Sequence, residues 1–159
     1  SASIGDCKKA LEAAKGDLDK AVSLLRKRGL EILAAKQDRK TQEGRIEAYV
    51  HLGNKIGVLL EINCETDFVA RNEDFCQFTK DIAMQIAAIN PLYINKEDVP
   101  GDTLKKHKDR EDFYKQHCLL EQPFIKDPNI TIKDYLASLI AKIGENVVIR
   151  RFVRYKLGE

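Results

Sequence analysis

The 159-residue chain has no long apolar run. Its longest mostly apolar stretch, IAMQIAAI at 82–89, falls far short of the roughly 20 residues that carry a helix across a bilayer, so no membrane span is expected. The first residues, SASIGDCKKA, have neither the apolar centre of a secretory signal nor the character of a basic transit segment, and a cytoplasmic protein is the expectation. An excess of one charge is also lacking. Lys and Arg number 27 against 25 Asp and Glu, a net of +2, which weakens any reading built on bulk attraction to nucleic acid or anionic lipid. Cysteines are few, Cys7, Cys64, Cys76 and Cys118, and the absence of a CxxC pair excludes the usual zinc spacing. A chain of this length with 43% apolar residues needs no disulfide framework, so the four read as reduced thiols, mostly small buried hydrophobes, in a reducing compartment.

Familiar catalytic and nucleotide motifs are missing too. There is no GxxxxGK[ST], GxGxxG or HExxH, and GNKIG at 53–57 has neither the spacing nor the context for phosphate. His51 falls in a turn, while His107 and His117 lie in a charged stretch. His117 and Cys118 are neighbours in sequence, an arrangement that seldom gives nucleophile and base the right geometry. Asn129-Ile130-Thr131 matches a glycosylation sequon, but Thr131 has a better use as a helix cap. The expectation is a protein that does no covalent chemistry and holds no metal or cofactor of its own.

What is present is a change of hydrophobic period along the chain. Ser3 with Asp6 fits a capping box, and Cys7, Ala10, Leu11 and Ala14 recur at helical spacing up to about Lys15. Gly16 ends that helix and Asp17 caps a second, on which Leu18, Ala21, Val22 and Leu25 form a stripe before stop signals at Lys27, Arg28 and Gly29. Two such helices cannot bury both stripes alone, so they either dock on the rest of the chain or belong to a three-helix module. Residues 30–40 read as a charged connecting helix. From Gly44 the period becomes two: Ile46, Ala48 and Val50, then Ile56, Val58, Leu60 and Ile62, predict a hairpin whose second strand is central. A two-residue Gly53-Asn54 turn would set Ile46 opposite Glu61; an odd loop with a bulge, setting Ile46 against Leu60 and Ala48 against Val58, is the favoured register. Phe75, Phe78, Ile82, Ile86 and Ile89 share one helical face that ends at Asn90-Pro91. A charged excursion at about 92–128 is expected to carry little core. Thr131 and Asp134 form a second capping box for a helix burying Leu136, Leu139, Ile140 and Ile143, Gly144 ends it, and VVIRRFVRY at 147–155 is a last strand. The fold class is α+β, with an N-terminal helical piece over 1–40 and, over 41–159, a three-stranded antiparallel sheet packed with two helices.

One segment stands out. NCETDFVARN at 63–72 leads from the central strand into the long helix and puts Asp67 and Phe68 at a helix start. A large aromatic at such a corner is ordinarily core, and the pattern alone favours that reading; the alternative is a protruding wedge that carries Phe68 into a partner's pocket. At these residues the chain resembles the translation elongation factor Ts family. TDFVARN (Thr66, Asp67, Phe68, Val69, Ala70, Arg71, Asn72), DCKKAL at 6–11, and AKIGEN at 141–146 followed by Arg150 and Arg151 carry the resemblance, which spans nearly the whole chain in order.

The resemblance implies a ubiquitin-associated-like N-terminal module, of which residues 1–29 match the second and third helices, followed by an α+β core of the compact bacterial type, shortened after Asp98. It also implies guanine-nucleotide exchange on elongation factor Tu, with the GDP and magnesium belonging to that partner. Phe68 then enters a slot between helices of the partner while Asp67 disturbs the magnesium shell, and Thr66, Val69, Ala70, Arg71 and Asn72 hold or rim the contact. Ile4, Gly5 and Asp6 are weaker partner contacts, and where the family usually has Gly-Met-Met this chain has Ser3-Ile4-Gly5. Arg150, Arg151 and Arg154 are weaker contacts too, with a solvated sheet edge as their plainer role. A homodimer supplying a second core repeat is a further expectation. The rival readings are an RNA-binding module, using those arginines and the lysines of 104–108 and disfavoured by the near-neutral charge, and a ribosome-associated structural component without exchange activity.

Overall fold

The computed structural model describes residues 4–159. The proposed Ser3 cap therefore lies outside the described residues. Helix α1 (Ile4–Ala13) turns at Gly16, and Asp17 caps α2 (Leu18–Lys36) by accepting the Lys20 N–H. The stop expected at Gly29 does not occur, and the connecting helix is a continuation of α2. Gly29 is buried, facing Ala137 so closely that an added Cβ would touch that residue's Cβ at 3.6 Å. The residue lies where α2 packs on a later helix, and that tertiary contact outweighs the weak helix propensity of glycine. Ala10, Ala14 and Ala21 form a small cluster with Leu25, while Ile32 and Leu33 reach the main core.

Strands β1 (Glu43–Val50) and β2 (Ile56–Cys64) make the hairpin, followed by α3 (Asp67–Ala70) and α4 (Glu73–Ile89). The excursion contains α5 (Gly101–Lys105), α6 (Arg110–His117) and a ribbon of β3 (Pro123–Phe124) and β4 (Asp127–Thr131), after which come α7 (Ile132–Ile143) and β5 (Val147–Lys156). The main sheet is antiparallel with order β1-β2-β5, so β2 is central as its composition implied. Thr131 and Asp134 form the predicted capping box of α7, and Gly144 closes that helix at φ 77°.

The hairpin register differs from the favoured one. Ile46 lies opposite Glu61, Ala48 opposite Leu59 and Val50 opposite Gly57. The His51 N–H bonds to Ile56 O at 2.9 Å, closing a loop over 52–55 in which Gly53 and Asn54 both take positive φ. That even loop puts Ile46, Ala48 and Val50 on the open side of the sheet, away from the helices. Three cross-strand rows result on this side: Ile46, Glu61 and Arg151; Ala48, Leu59 and Val153; Val50, Gly57 and Tyr155. The helix-facing side of β1 is the polar one. There Arg45 pairs with Glu47 at 3.0 Å and donates to Cys76 Sγ, while Thr79 donates to Glu47 at 3.2 Å.

On the other side Val58, Leu60, Ile62 and Cys64 of β2 meet Phe75, Phe78, Ile82 and Ile86 of α4 and Leu136, Leu139 and Ile140 of α7. Ile89, expected on the same buried face, is half exposed because α4 ends there. The excursion carries more core than expected: Val99, Phe113 and Cys118 form a cluster of their own, and Leu119 and Phe124 join the main core. It is tied down by Gln85, buried on α4, which donates to Pro123 O and Gln122 Oε1 and accepts from the Ile125 N–H. Asp81, also buried, accepts from Lys126, Gln77 and Tyr135. Nothing in the hydrophobic period announces such polar anchors.

The register predicts a sharp contrast between adjacent residues. Leu60→Ala, at a fully buried position, should lower unfolding free energy by about 2–5 kcal/mol, whereas Leu59→Ala, half exposed on the open side, should cost under about 1 kcal/mol in urea denaturation.

Candidate functional site: the strand-to-helix corner

The chain leaves β2 at Cys64 and must reverse into α4 within a few residues. It does so through two helix N-caps in succession. Thr66 Oγ1 accepts the Val69 N–H at 3.4 Å and starts α3; Asn72 Oδ1 accepts from the N–H groups of Asp74 and Phe75 and starts α4. Both caps are the residue types that favour this role, which is why TDFVARN folds as one turn of helix followed directly by another.

Phe68 sits at the tip, with 81% of its surface exposed. The ring fills no core space, and the reading that pattern alone favoured gives way. Val69 and Ala70 are the apolar residues that pack inward at this corner. With one helical turn between two caps, neighbouring positions point in different directions, so burying Val69 and Ala70 turns Phe68 outward. Asp67 is half-exposed and accepts from Arg71 at 2.8 Å, an i,i+4 pair along α3. The exposed acid and ring are side by side on an ordered turn.

The corner is held from the far end of the sequence. Glu145, just past the α7 stop, accepts from the Thr66 N–H with Oε2 at 3.0 Å and from the Thr66 hydroxyl with Oε1 at 2.7 Å. Next to it, the buried Asn146 donates its N–H to Glu65 at 2.6 Å and its side-chain amide to the carbonyls of Gln37 and Arg39. Arg39 also pairs with Glu65, Lys36 donates to the Gly144 carbonyl, and Lys142 pairs with Asp74 at the start of α4. Four segments of the chain therefore meet beneath Phe68. In the sequence Gly144 reads as a helix stop, and Glu145 and Asn146 carry no signal beyond their place in the AKIGEN match.

Cys64 lies under this junction, its thiol donating to Thr66 O at 3.1 Å. Burial pushes the thiol up to about 11, with the Glu145 carboxylate adding to the effect. Cys118 is likewise held at about 11, by burial first and Glu121 second. Cys7 and Cys76 are half-buried.

The remaining sequence candidates are dispersed. Ile4 is almost fully exposed on α1, Gly5 is exposed, and Asp6 pairs with Arg28. The arginines of β5 take three different roles. Arg151 is on the open side, ion-paired to Glu61 at 2.6 Å; Arg150 is exposed and borders a shallow recess with Lys40, Gln42 and Asn63; Arg154 turns inward and donates to the Ala87 carbonyl at 3.2 Å. Ala87 is in the last turn of α4, where carbonyls lack partners within the helix, so Arg154 closes that helix end. Among the described residues no cluster of His, Cys, Asp or Glu is arranged for a metal, and no helix is long and apolar enough to cross a membrane.

The exposed aromatic and acid on a doubly capped turn, and the turn after α7 that braces it, fall within the TDFVARN and AKIGEN motifs. The family model described as Elongation factor TS matches residues 9–111 and 109–159. The chain belongs to the elongation factor Ts family. It is 50% identical to the elongation factor Ts of Carboxydothermus hydrogenoformans over 181 aligned residues, covering 99% of this chain and 83% of that protein. Identity to the elongation factor Ts of Caldanaerobacter subterraneus subsp. tengcongensis is 51%, with 99% and 90% covered, and to that of Methylacidiphilum infernorum 46%, with 99% and 89% covered. Membership makes it a translation elongation factor. The two matched segments of the family model overlap at 109–111, at the start of α6.

The two raised thiols give a pH prediction. An unfolded thiol ionises near pH 8.5–9, but these stay protonated when folded, so the folded state binds more protons between pH 9 and 11 and stability falls as pH rises through that window. Melting temperature should drop between pH 9 and 11, with roughly 2–3 kcal/mol lost per thiol, and Cys64→Ala/Cys118→Ala should flatten this alkaline limb.

Proposed function

We propose that this elongation factor Ts accelerates release of GDP from elongation factor Tu, and that Phe68 with Asp67 is the element that does so. The single observation that carries the reading is the outward display of Phe68 on a braced turn. An aromatic ring left in water on a turn this well held contributes little to the fold, and aromatic anchors entering a partner's pocket dominate many interfaces.

The chemistry is linkage rather than covalent catalysis. Exchange factor and nucleotide bind the same partner antagonistically, so each weakens the other by the same factor. Accelerating release by about 10⁴ requires roughly 5.5 kcal/mol of preference for the opened partner, which two or three anchor residues can supply. Phe68 moving from water into an apolar slot between helices supplies part of it. Asp67, exchanging its Arg71 partner for groups around the magnesium, loosens the ion that neutralises the phosphates. Nucleotide and ion belong to elongation factor Tu, and this chain needs no cofactor of its own. The protein acts in the cytoplasm.

The open side of the sheet supports a second contact. Ile46, Val50, Leu59, Val153 and Tyr155 leave an apolar strip in solvent around the Glu61–Arg151 pair. We assign it to another domain of elongation factor Tu. A second copy of this chain is the alternative occupant, which sedimentation at low micromolar concentration separates: 18.0 kDa for the single chain against twice that.

Release of a fluorescent GDP analogue from elongation factor Tu tests the function. Phe68→Ala should slow the stimulated rate by about 30-fold or more and Asp67→Ala by about tenfold, with melting temperatures close to that of the parent protein. A Phe68→Ala rate equal to the parent's removes the wedge from the account.

A further inference from the structure

We infer that Glu145 is a positioning residue for nucleotide release: its carboxylate, by accepting from both the backbone N–H and the hydroxyl of Thr66, fixes the turn that presents Phe68. The inference rests on the function proposed above and adds a residue 77 positions away in sequence that need touch neither partner nor nucleotide.

One hydroxyl proton decides the cap. A threonine caps a helix only if a lone pair of its oxygen faces the N–H three residues on. Thr66 has one hydroxyl proton, and Glu145 Oε1 takes it at 2.7 Å, which leaves the lone pairs free for the Val69 N–H. Glu145 Oε2 simultaneously takes the Thr66 N–H at 3.0 Å, setting the direction in which the chain leaves β2. Without the carboxylate the hydroxyl can rotate to a carbonyl or water, and the first turn of a four-residue helix is then left to one backbone bond, Ala70 N–H to Thr66 O at 3.2 Å, and the exposed Asp67–Arg71 pair. The two contacts are charge-assisted and so among the stronger hydrogen bonds available to a half-buried site.

Glu145 is itself fixed. It lies between Gly144, in the left-handed conformation that ends α7 and bonded through its carbonyl to Lys36, and the buried Asn146, which is bonded to Glu65, Gln37 and Arg39. The brace therefore joins the corner to α2 and α7, elements that share no chain segment with it. A ring displayed on such a support enters a pocket without first paying to order its own turn, whereas a loosened turn would bind through the other surfaces and then insert slowly.

Two readouts on the full chain test this, with Glu145→Ala and the milder Glu145→Gln, which keeps one acceptor. In titrations of GDP release, the rate at saturating exchange factor should fall about tenfold for Glu145→Ala and about threefold for Glu145→Gln, while the half-saturating concentration changes less than about twofold. In amide hydrogen exchange, Val69, Ala70 and Arg71 should lose protection in the same order, while Leu60 in β2 and Ile82 in α4 keep theirs. A general loss of protection, or a slowed release with the corner amides unchanged, overturns the inference, as does a parental rate in both variants. If Phe68→Ala also releases GDP at the parental rate, the failure belongs to the proposed function; if Phe68→Ala is slow and the Glu145 variants are not, it belongs to the positioning role alone. Should Glu145→Ala not fold, Glu145→Gln carries both readouts.

Discussion

A chain that must reverse direction in a few residues and still hold an aromatic ring in water needs support from outside the turn. Here that support is one carboxylate. Glu145 binds Thr66 twice, Thr66 caps α3, and α3 displays Phe68. The wider fold arranges for these groups to meet: β2 and β5 pair so that Cys64 lies opposite Val147, which brings the end of α7 against the start of the corner. The covered side of the sheet, packed with α4 and α7, keeps both ends of this contact rigid, and the central strand is the common axis.

The molecule also shows a division between its two sheet faces that is not the usual one. On β1 the polar residues Arg45 and Glu47 face the helices, where they bond to one another and to Cys76 and Thr79, whereas Ile46 and Val50 face solvent. A protein using this sheet only for stability would be expected to place those residues the other way round. The exposed apolar rows and the exposed aromatic tip leave two surfaces of this translation elongation factor open to contact with other molecules.

Much of this was legible in the sequence because the hydrophobic period is strong where the core is thick. The α4 stripe from Phe75 to Ile86, the capping box at Thr131 and the β-branched last strand fold as their patterns imply. What failed did so where a local signal competed with a tertiary contact. Gly29 carries a stop signal but occupies a close helix crossing, and the hairpin loop over 52–55 is even, so the alternation in β1 marks the open face rather than the buried one. The buried amides Gln85, Gln122 and Asn146 leave no periodic trace, since each is placed by partners distant in sequence. At the corner, composition could not tell an inward from an outward ring. Two N-caps six residues apart decide it, and the acid that orients the first cap is remote in the chain.

The central claim is that a ring held in water by the braced corner becomes buried in the partner as nucleotide leaves. The most direct measurement places 4-fluorophenylalanine at position 68 and follows its fluorine resonance. The free protein should give a resonance at the position of a solvent-exposed ring. Addition of nucleotide-free elongation factor Tu should move it to that of an apolar environment, and excess GDP should restore it. A resonance unchanged by the partner would contradict the account.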